Sequence, residues 1–436
     1  MGTPNQFSLL RSRRFLPLFL TQFLGAFNDN FFKSALLMLI TYRLADAAGY
    51  DARILVNVAG GIFILPFFLF SAPAGQLADK FERSRLIQIL KIAEIAMMAG
   101  AAIGFYLGNL YFLMVILFLM GAQSTFFGPI KYSILPQHLN EDELIAGNGL
   151  IQMGTFLSIL TGTILGGISI LSDGGDTLVS FLIIGIAAAG WLASCAIPKT
   201  TPVNPNLKLS ANIPKDTAKI VADVIPYKDV FLSVLGISWF WLVGATFLSQ
   251  FPTYAKLVIG ANEHVATLFL AAFSVGIGLG SMACNSFLKG EVSGRYVPWA
   301  AVAMSAASVL LYLASRRPQL PPDAVEIGIM AFLSSWQNLA VVACLLAISF
   351  AGGLYIVPLY AIIQTRTEES RMAGVIACSN VSDSLFMVLS AVGTSILLAM
   401  GLEIPHIFLI MALLTIVAAL VIRKAVRAQM KQRDAS

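Results

Sequence analysis

QFLGAFNDNFFKSALLMLITY, residues 22–42, is mostly apolar and long enough to cross a bilayer, which takes about 20 helical residues. Yet Asn28, Asp29, Asn30 and Lys33 fall near its middle. A charge at that depth costs about 2.5–3.5 kcal/mol on insertion scales, so it normally faces protein or water and not lipid. Gln22, Ala26, Asp29 and Lys33 follow spacings of four, three and four, which puts them on one helical face. At that spacing Asp29 and Lys33 are expected to neutralise each other in part.

The rest of the chain speaks for lipid as well. Of 436 residues, 58% are hydrophobic and 12% charged, and the mean hydropathy is +0.82; soluble domains carry about 25% charged residues. Apolar windows predict an all-α membrane protein of about twelve transmembrane helices, at 14–42, 53–78, 86–107, 110–132, 147–171, 177–197, 229–256, 264–288, 296–315, 332–360, 373–400 and 405–425. The first span follows Arg11, Arg13 and Arg14 but far exceeds a signal-peptide core and lacks a cleavage site, so it reads as an uncleaved helix. Cys195, Cys284, Cys344 and Cys378 lie in apolar stretches without metal spacing.

Charge sets the expected topology. With the N-terminus inside, the outer loops hold only Arg43, Arg53, Lys256, Arg316 and Arg317, and Lys33 and Lys91 lie within spans. The rest of the 28 Lys and Arg fall on inner loops and tails, which predicts a multi-pass protein with both termini cytoplasmic. The net charge of +5 therefore reports topology, and no nucleic-acid partner is expected.

Residues 198–228 form the longest inner connection, rich in proline and lysine, with a short amphipathic helix expected around 215–225. They divide a six-helix half, 1–197, from a second half, 229–436, that ends in a short cytoplasmic tail. A weak repeat follows the same division. Pro129, Glu141-Asp142 and Ala146-Gly147 recur as Pro358, Glu368-Glu369 and Ala373-Gly374. Parallel halves of this kind belong to transporters whose site lies between repeats.

GQLADKFERSR, residues 75–85, joins spans 2 and 3. Gly75, Asp79, Lys80, Arg83 and Arg85 resemble the cytoplasmic signature of the major facilitator superfamily, with Glu82 where its second glycine stands. Gly75 permits close helix approach, and Asp79 can meet a helix N-terminus. Such a turn gates; it does no substrate chemistry. Residues 289–295, KGEVSGR, are a degenerate echo of it.

FLGAFNDNFFKSAL (23–36), FFGPIKYSILPQHL (126–139), ELIAGNGL (143–150) and ISWFWLVGATFL (237–248) make the likeness narrower. They resemble the bacterial lysophospholipid transporter family of that superfamily. The resemblance implies a flippase of the inner membrane that moves lysophospholipid from the outer to the inner leaflet for reacylation. It also implies an acyltransferase or acyl-carrier-protein synthetase as a cytoplasmic partner. Members of that family carry a basic residue in span 7, where GATFLSQF (244–251) has none, so their charge pairing does not carry over whole.

Substrate contacts are expected from Gln22, Asn28, Asp29, Asn30 and Lys33 in span 1, Asn148 and Gln152 in span 5, and Asn380 and Asp383 in span 11. A lysophospholipid headgroup offers a phosphate for Lys33 and an amine or hydroxyls for Asp29 and Asn30. Lys131, at an inner helix end, is grouped with the gate, though snorkelling to the interface explains it as well. Lys91 and Glu94, three apart, read as a structural pair. No catalytic motif, metal site or cofactor is expected, and the chain is expected to act as a monomer among membrane lipids. Two rivals stay open: a proton-coupled exporter of amphipathic drugs or siderophores, and a non-transporting scaffold for an acyltransferase.

Overall fold

The computed structural model describes residues 6–44, 51–210, 212–316 and 326–433; Arg317 lies outside them, as does the side chain of Arg53. Among the described residues every element is helical apart from one isolated bridge between Ala261 and Ile327. The long helices are α1 (Leu16–Leu39), α2 (Ala52–Lys80), α3 (Arg83–Leu107), α4 (Leu110–Ser133), α5 (Leu144–Leu171) and α6 (Gly175–Cys195). A shorter α7 (Ile213–Val224) follows, then α8 (Lys228–Thr253), α9 (Glu263–Leu288), α10 (Val297–Ala314), α11 (Trp336–Arg366), α12 (Met372–Ala399) and α13 (Ile404–Arg433). Ten of these are long and apolar enough to cross a membrane. The other two long helices are α1, diluted by its polar centre, and α13, apolar over Ile404–Leu420. Large apolar side chains such as Tyr106, Phe181, Trp299 and Val417 stand exposed, as an exterior solvated by lipid requires.

Local chemistry sets the helix ends. Glu82 caps α3 by accepting the Ser84 and Arg85 backbone N–H groups, each at 2.9 Å. Gly108, at φ 59°, ends that helix in the left-handed conformation that favours glycine. Asn109 then starts α4 by accepting from Phe112 at 3.0 Å.

Contacts group the chain into two compact units. The first holds Met1–Gly147, Leu157–Pro226 and Gln364–Val381; the second holds Asn148–Phe156, Tyr227–Ile363 and Ser382–Ser436. Each unit thus includes a short piece of the helix set that otherwise builds the other. The repeat read from the sequence falls where this happens. A 3₁₀ turn at Glu141–Glu143 enters α5, and another at Glu369–Arg371 enters α12.

The core of the first unit packs Phe31, Phe32 and Leu36 of α1 with Met98, Leu113, Leu117 and Ile183. In the second, aromatic rings carry the packing: Phe247 stacks on Phe408 at 4.7 Å and 3°, while Phe251 meets Phe273 edge-on at 5.6 Å. There residues 148–156 of α5 bring Phe156, whose ring stacks on Trp241 and meets Phe240 edge-on.

Candidate functional site

The polar centre of α1 divides between two sides of the helix. Asn28 is fully buried; its Nδ2 donates to Glu94 Oε1 at 3.1 Å and to the Ile183 carbonyl at 3.2 Å. Lys91 Nζ pairs with Glu94 Oε2 at 2.6 Å, and Gln123 Nε2 donates to the same oxygen at 3.3 Å. The Lys91 ammonium also fills the space where a Cβ at Gly25 would sit, so a side chain there would have to displace it. One buried ion pair on α3 thereby fastens α1, α4 and α6. Asn28, expected to touch substrate, instead serves this lock.

The next residue turns the other way. Asp29, Asn30 and Lys33 are half-buried, with part of each side chain open. Asp29 Oδ2 accepts the Ser124 hydroxyl at 2.6 Å, and Asn30 Nδ2 donates back to the Ala26 carbonyl at 2.7 Å. Asp29 and Lys33 act on each other electrostatically, as expected, but form no direct ion pair among the described residues: Ser124 holds the carboxylate and Lys33 Nζ lies over the Phe63 ring, 5.2 Å from its centre. Lys131 of α4 is half-buried too and lies within the electrostatic reach of Asp29, its ammonium 4.5 Å from the Tyr132 ring centre. The first unit therefore presents one carboxylate, two ammonium groups and an amide that are not locked into ion pairs. Gln22, on the same α1 face, is buried.

Other expected contacts lie elsewhere. Asn380 belongs to the first unit, beside Gly128 of α4. Asn148, Gln152 and Asp383 belong to the second, all buried, and Asp383 Oδ1 accepts the Ser238 hydroxyl at 2.7 Å. Ser124, Gln123 and Ser238 were missed as partners, although Gln123-Ser124-Thr125 interrupts an otherwise apolar span and was a visible signal.

The 75–85 turn is built as a clasp on the start of α12. A Cβ at Gly75 would lie 3.0 Å from Ala377 Cβ and 3.1 Å from the Ala373 carbonyl, so the missing side chain sets the approach of α2 and α12. Asp79 accepts the backbone N–H groups of Ala373 and Gly374 at the α12 N-terminus, where the helix dipole favours an anion. Arg83, almost wholly buried, stands 3.5 Å from Asp79 and donates to the carbonyls of Ser133 and Ala78 at 2.9 and 3.2 Å. Gln364 donates to the Tyr132 carbonyl at 3.0 Å, and Gln137 donates to Glu369. Lys80 and Arg85 enter no ion pair among the described residues, and Lys80 lies 5.8 Å from the Phe81 ring centre.

Glu82, the departure from the signature, binds the linker as well: the Thr200 N–H and hydroxyl each donate to it at 2.9 Å. Burial alone would raise its carboxyl, but the hydrogen bonds from Ser84 and Thr200 outweigh it and hold Glu82 below the usual glutamate range.

A helical bundle with an intramembrane charged face and a clasp of this kind is carrier architecture. The family model of the Major Facilitator Superfamily matches residues 18–315. The chain belongs to that superfamily. It is 28% identical over 388 residues to the lysophospholipid transporter LplT of Serratia proteamaculans (strain 568), covering 88% of each chain. It is equally similar to LplT of Salmonella typhimurium strain LT2, over 87% of this chain and 86% of that one. Among solved structures, the human organic anion transporter MFSD10 superposes with TM-score 0.70 at 14% identity, over 93% of this chain and 99% of that one. The E. coli fucose:proton symporter FucP gives 0.66 at 14%, over 94% and 97%. At such identities the structural likeness shows the fold alone. This superfamily member is a multi-pass membrane transporter and not an enzyme.

Proposed function

We propose that this transporter moves lysophospholipids, such as lysophosphatidylethanolamine, from the outer to the inner leaflet of a bacterial inner membrane by alternating access. The observation that carries this reading is the unpaired charged face of the first unit. Lys33 and Lys131 supply cations for a phosphate diester, while Asp29, beside the Asn30 amide, suits an ammonium or hydroxyl. Charge-assisted hydrogen bonds away from bulk water are the strong ones, and they select a zwitterionic headgroup over a simple cation or anion. Similarity to LplT over most of both chains supports the same cargo. In this reading both termini face the cytoplasm, the 75–85 clasp controls the inner gate, and a cytoplasmic acyltransferase or acyl-carrier-protein synthetase reacylates the delivered lipid.

The test is reconstitution into liposomes with labelled lysophosphatidylethanolamine added outside. Protein-dependent movement of label to the protected leaflet is the expected result. Movement of a cationic drug with no movement of lysolipid would replace this reading by a drug exporter.

A further inference from the structure

One side of the linker helix α7 faces a polar cavity of about 230 Å³. The end of α2, a linker strap at 207–210, α7 and the start of α12 line it, all within the first unit. Hydrogen bonds fix these walls. The Asn204 N–H donates to the Asp79 carbonyl at 2.8 Å, the Ser210 N–H to Gln76 at 2.9 Å, and Arg371 Nη2 to the Asp223 carbonyl at 3.0 Å. Helical spacing puts Asp216, Lys219, Ile220 and Asp223 on one face of α7, and all four line the cavity. Asp216 is the anomaly among them. It is 8% exposed, yet its Oδ2 meets no hydrogen-bond donor, and among the described residues its carboxylate enters no ion pair. A buried carboxylate left without a partner is costly, and this one borders a cavity, so its partner is a donor that enters from outside. Asp223 is exposed on the same face, whereas Asp79 already meets the α12 N-terminus. Lys208 and Lys219 line the same cavity, exposed and in no ion pair among the described residues. An occupant therefore needs an ammonium for the two aspartates and an anion for the two lysines. The volume lies below the range of about 300–1,000 Å³ usual for drug-sized ligands, so it suits a molecule of headgroup size.

We propose that this cavity binds a small zwitterion of the phosphoethanolamine type, its ammonium held by Asp216 and Asp223 and its phosphate by Lys208 and Lys219. Charge-assisted contacts of both signs at one site separate such a ligand from a simple amine or a free phosphate. Soluble phosphoethanolamine and the headgroup of an ethanolamine phospholipid offer the same chemistry. Gly75, Asp79 and Gly374 of the clasp line the cavity too, so an occupant bridges the linker to the clasp and steadies it. The cavity shares no residue with the charged face of α1, and the site goes beyond the cargo reading.

Isothermal calorimetry of the full chain in detergent tests this, with O-phosphoethanolamine titrated beside ethanolamine and inorganic phosphate. O-phosphoethanolamine should bind at least about tenfold more tightly than either fragment, since each fragment lacks one charge-assisted contact. Asp216→Asn should weaken that binding about tenfold. Lys219→Glu, at an exposed position, should weaken it with Asp216 in place, and Asp29→Asn should leave it unchanged. Displacement by lysophosphatidylethanolamine assigns a lipid headgroup as the source, and binding that the lysolipid does not displace assigns the soluble zwitterion; either supports the site. Absence of binding, equal affinity for the zwitterion and its fragments, or unchanged binding in Asp216→Asn and Lys219→Glu overturns the proposal. A loss in Asp29→Asn alone would place the binding on α1 and overturn it too. Binding that depends on Asp216 in a protein that moves no lysolipid would support the site while removing the cargo reading.

Discussion

The membrane interior of the first unit is held by charges, and that of the second by rings and hydroxyls. In the first, Lys91 and Glu94 form a buried pair that Asn28 and Gln123 complete, while Asp29, Lys33 and Lys131 stand half-open beside it. In the second, Asp383 is a buried acid well inside its helix; its neighbours are Ser238 and, about two turns away, the Thr246–Ser390 hydroxyl pair at 2.7 Å. The difference separates two tasks. A half-open charged face needs a rigid frame, and the locked pair behind α1 provides it. A unit without such a face can rely on aromatic contact, such as Phe247 against Phe408.

The largest effect that would sharpen this contrast is loss of the lock. Lys91→Met leaves Glu94 buried without its cation, and breaking a buried pair from one side typically costs about 3–5 kcal/mol; a large drop in thermal stability in detergent is expected, with Lys91→Met/Glu94→Gln partly recovering it. In the second unit the comparable loss should come from an apolar residue. Phe247→Ala should cost about 3 kcal/mol by the same thermal assay, whereas Ser238→Ala should cost about 1–2 kcal/mol. A larger loss from Ser238→Ala than from Phe247→Ala would break the comparison.

Smaller again is the clasp. Asp79→Asn keeps the shape but removes the anion from the α12 N-terminus and should cost about 1 kcal/mol, read as faster labelling of a cysteine placed at Gly374. The smallest effect is that of Glu82. Its folded carboxyl sits below the ordinary value of 4.5, so its contribution is complete above that pH and is lost as pH falls through the depressed folded value. Glu82→Ala should lower stability at pH 7 by about 0.5 kcal/mol, and the gap from wild type should narrow as pH falls below 4.5.

Most of the fold was legible because lipid imposes one rule, satisfied backbone within long apolar helices, and the spans can be read directly from it. A helix start moved by a few residues where a cap, Glu82, took over from hydropathy, while the Asn109 cap fell where hydropathy had put the start of α4. The site was only partly legible. Helical spacing put Asp29 and Lys33 on one face, but spacing along one helix says nothing of Ser124 or Phe63 on the helices opposite, and these took the partners. The Asn28 contact lay out of reach for the same reason, since its partner Glu94 is 66 residues away. The exchange of residues 148–156 and 364–381 between the compact units also lay beyond the sequence: chain order implied two consecutive halves, and packing at two corresponding helix starts does not follow chain order.

The central claim, that the charged face of α1 reads the headgroup, is tested most directly by one measurement. The initial rate of labelled lysophosphatidylethanolamine movement is compared for wild type, Asp29→Asn and Asp383→Asn in the same liposomes, at equal amounts of folded protein. Loss of a charge-assisted contact worth about 1.5–3 kcal/mol predicts a fall of about ten- to a hundredfold for Asp29→Asn, with Asp383→Asn within about threefold of wild type. A wild-type rate in Asp29→Asn, or an equal fall in both variants, would contradict the assignment.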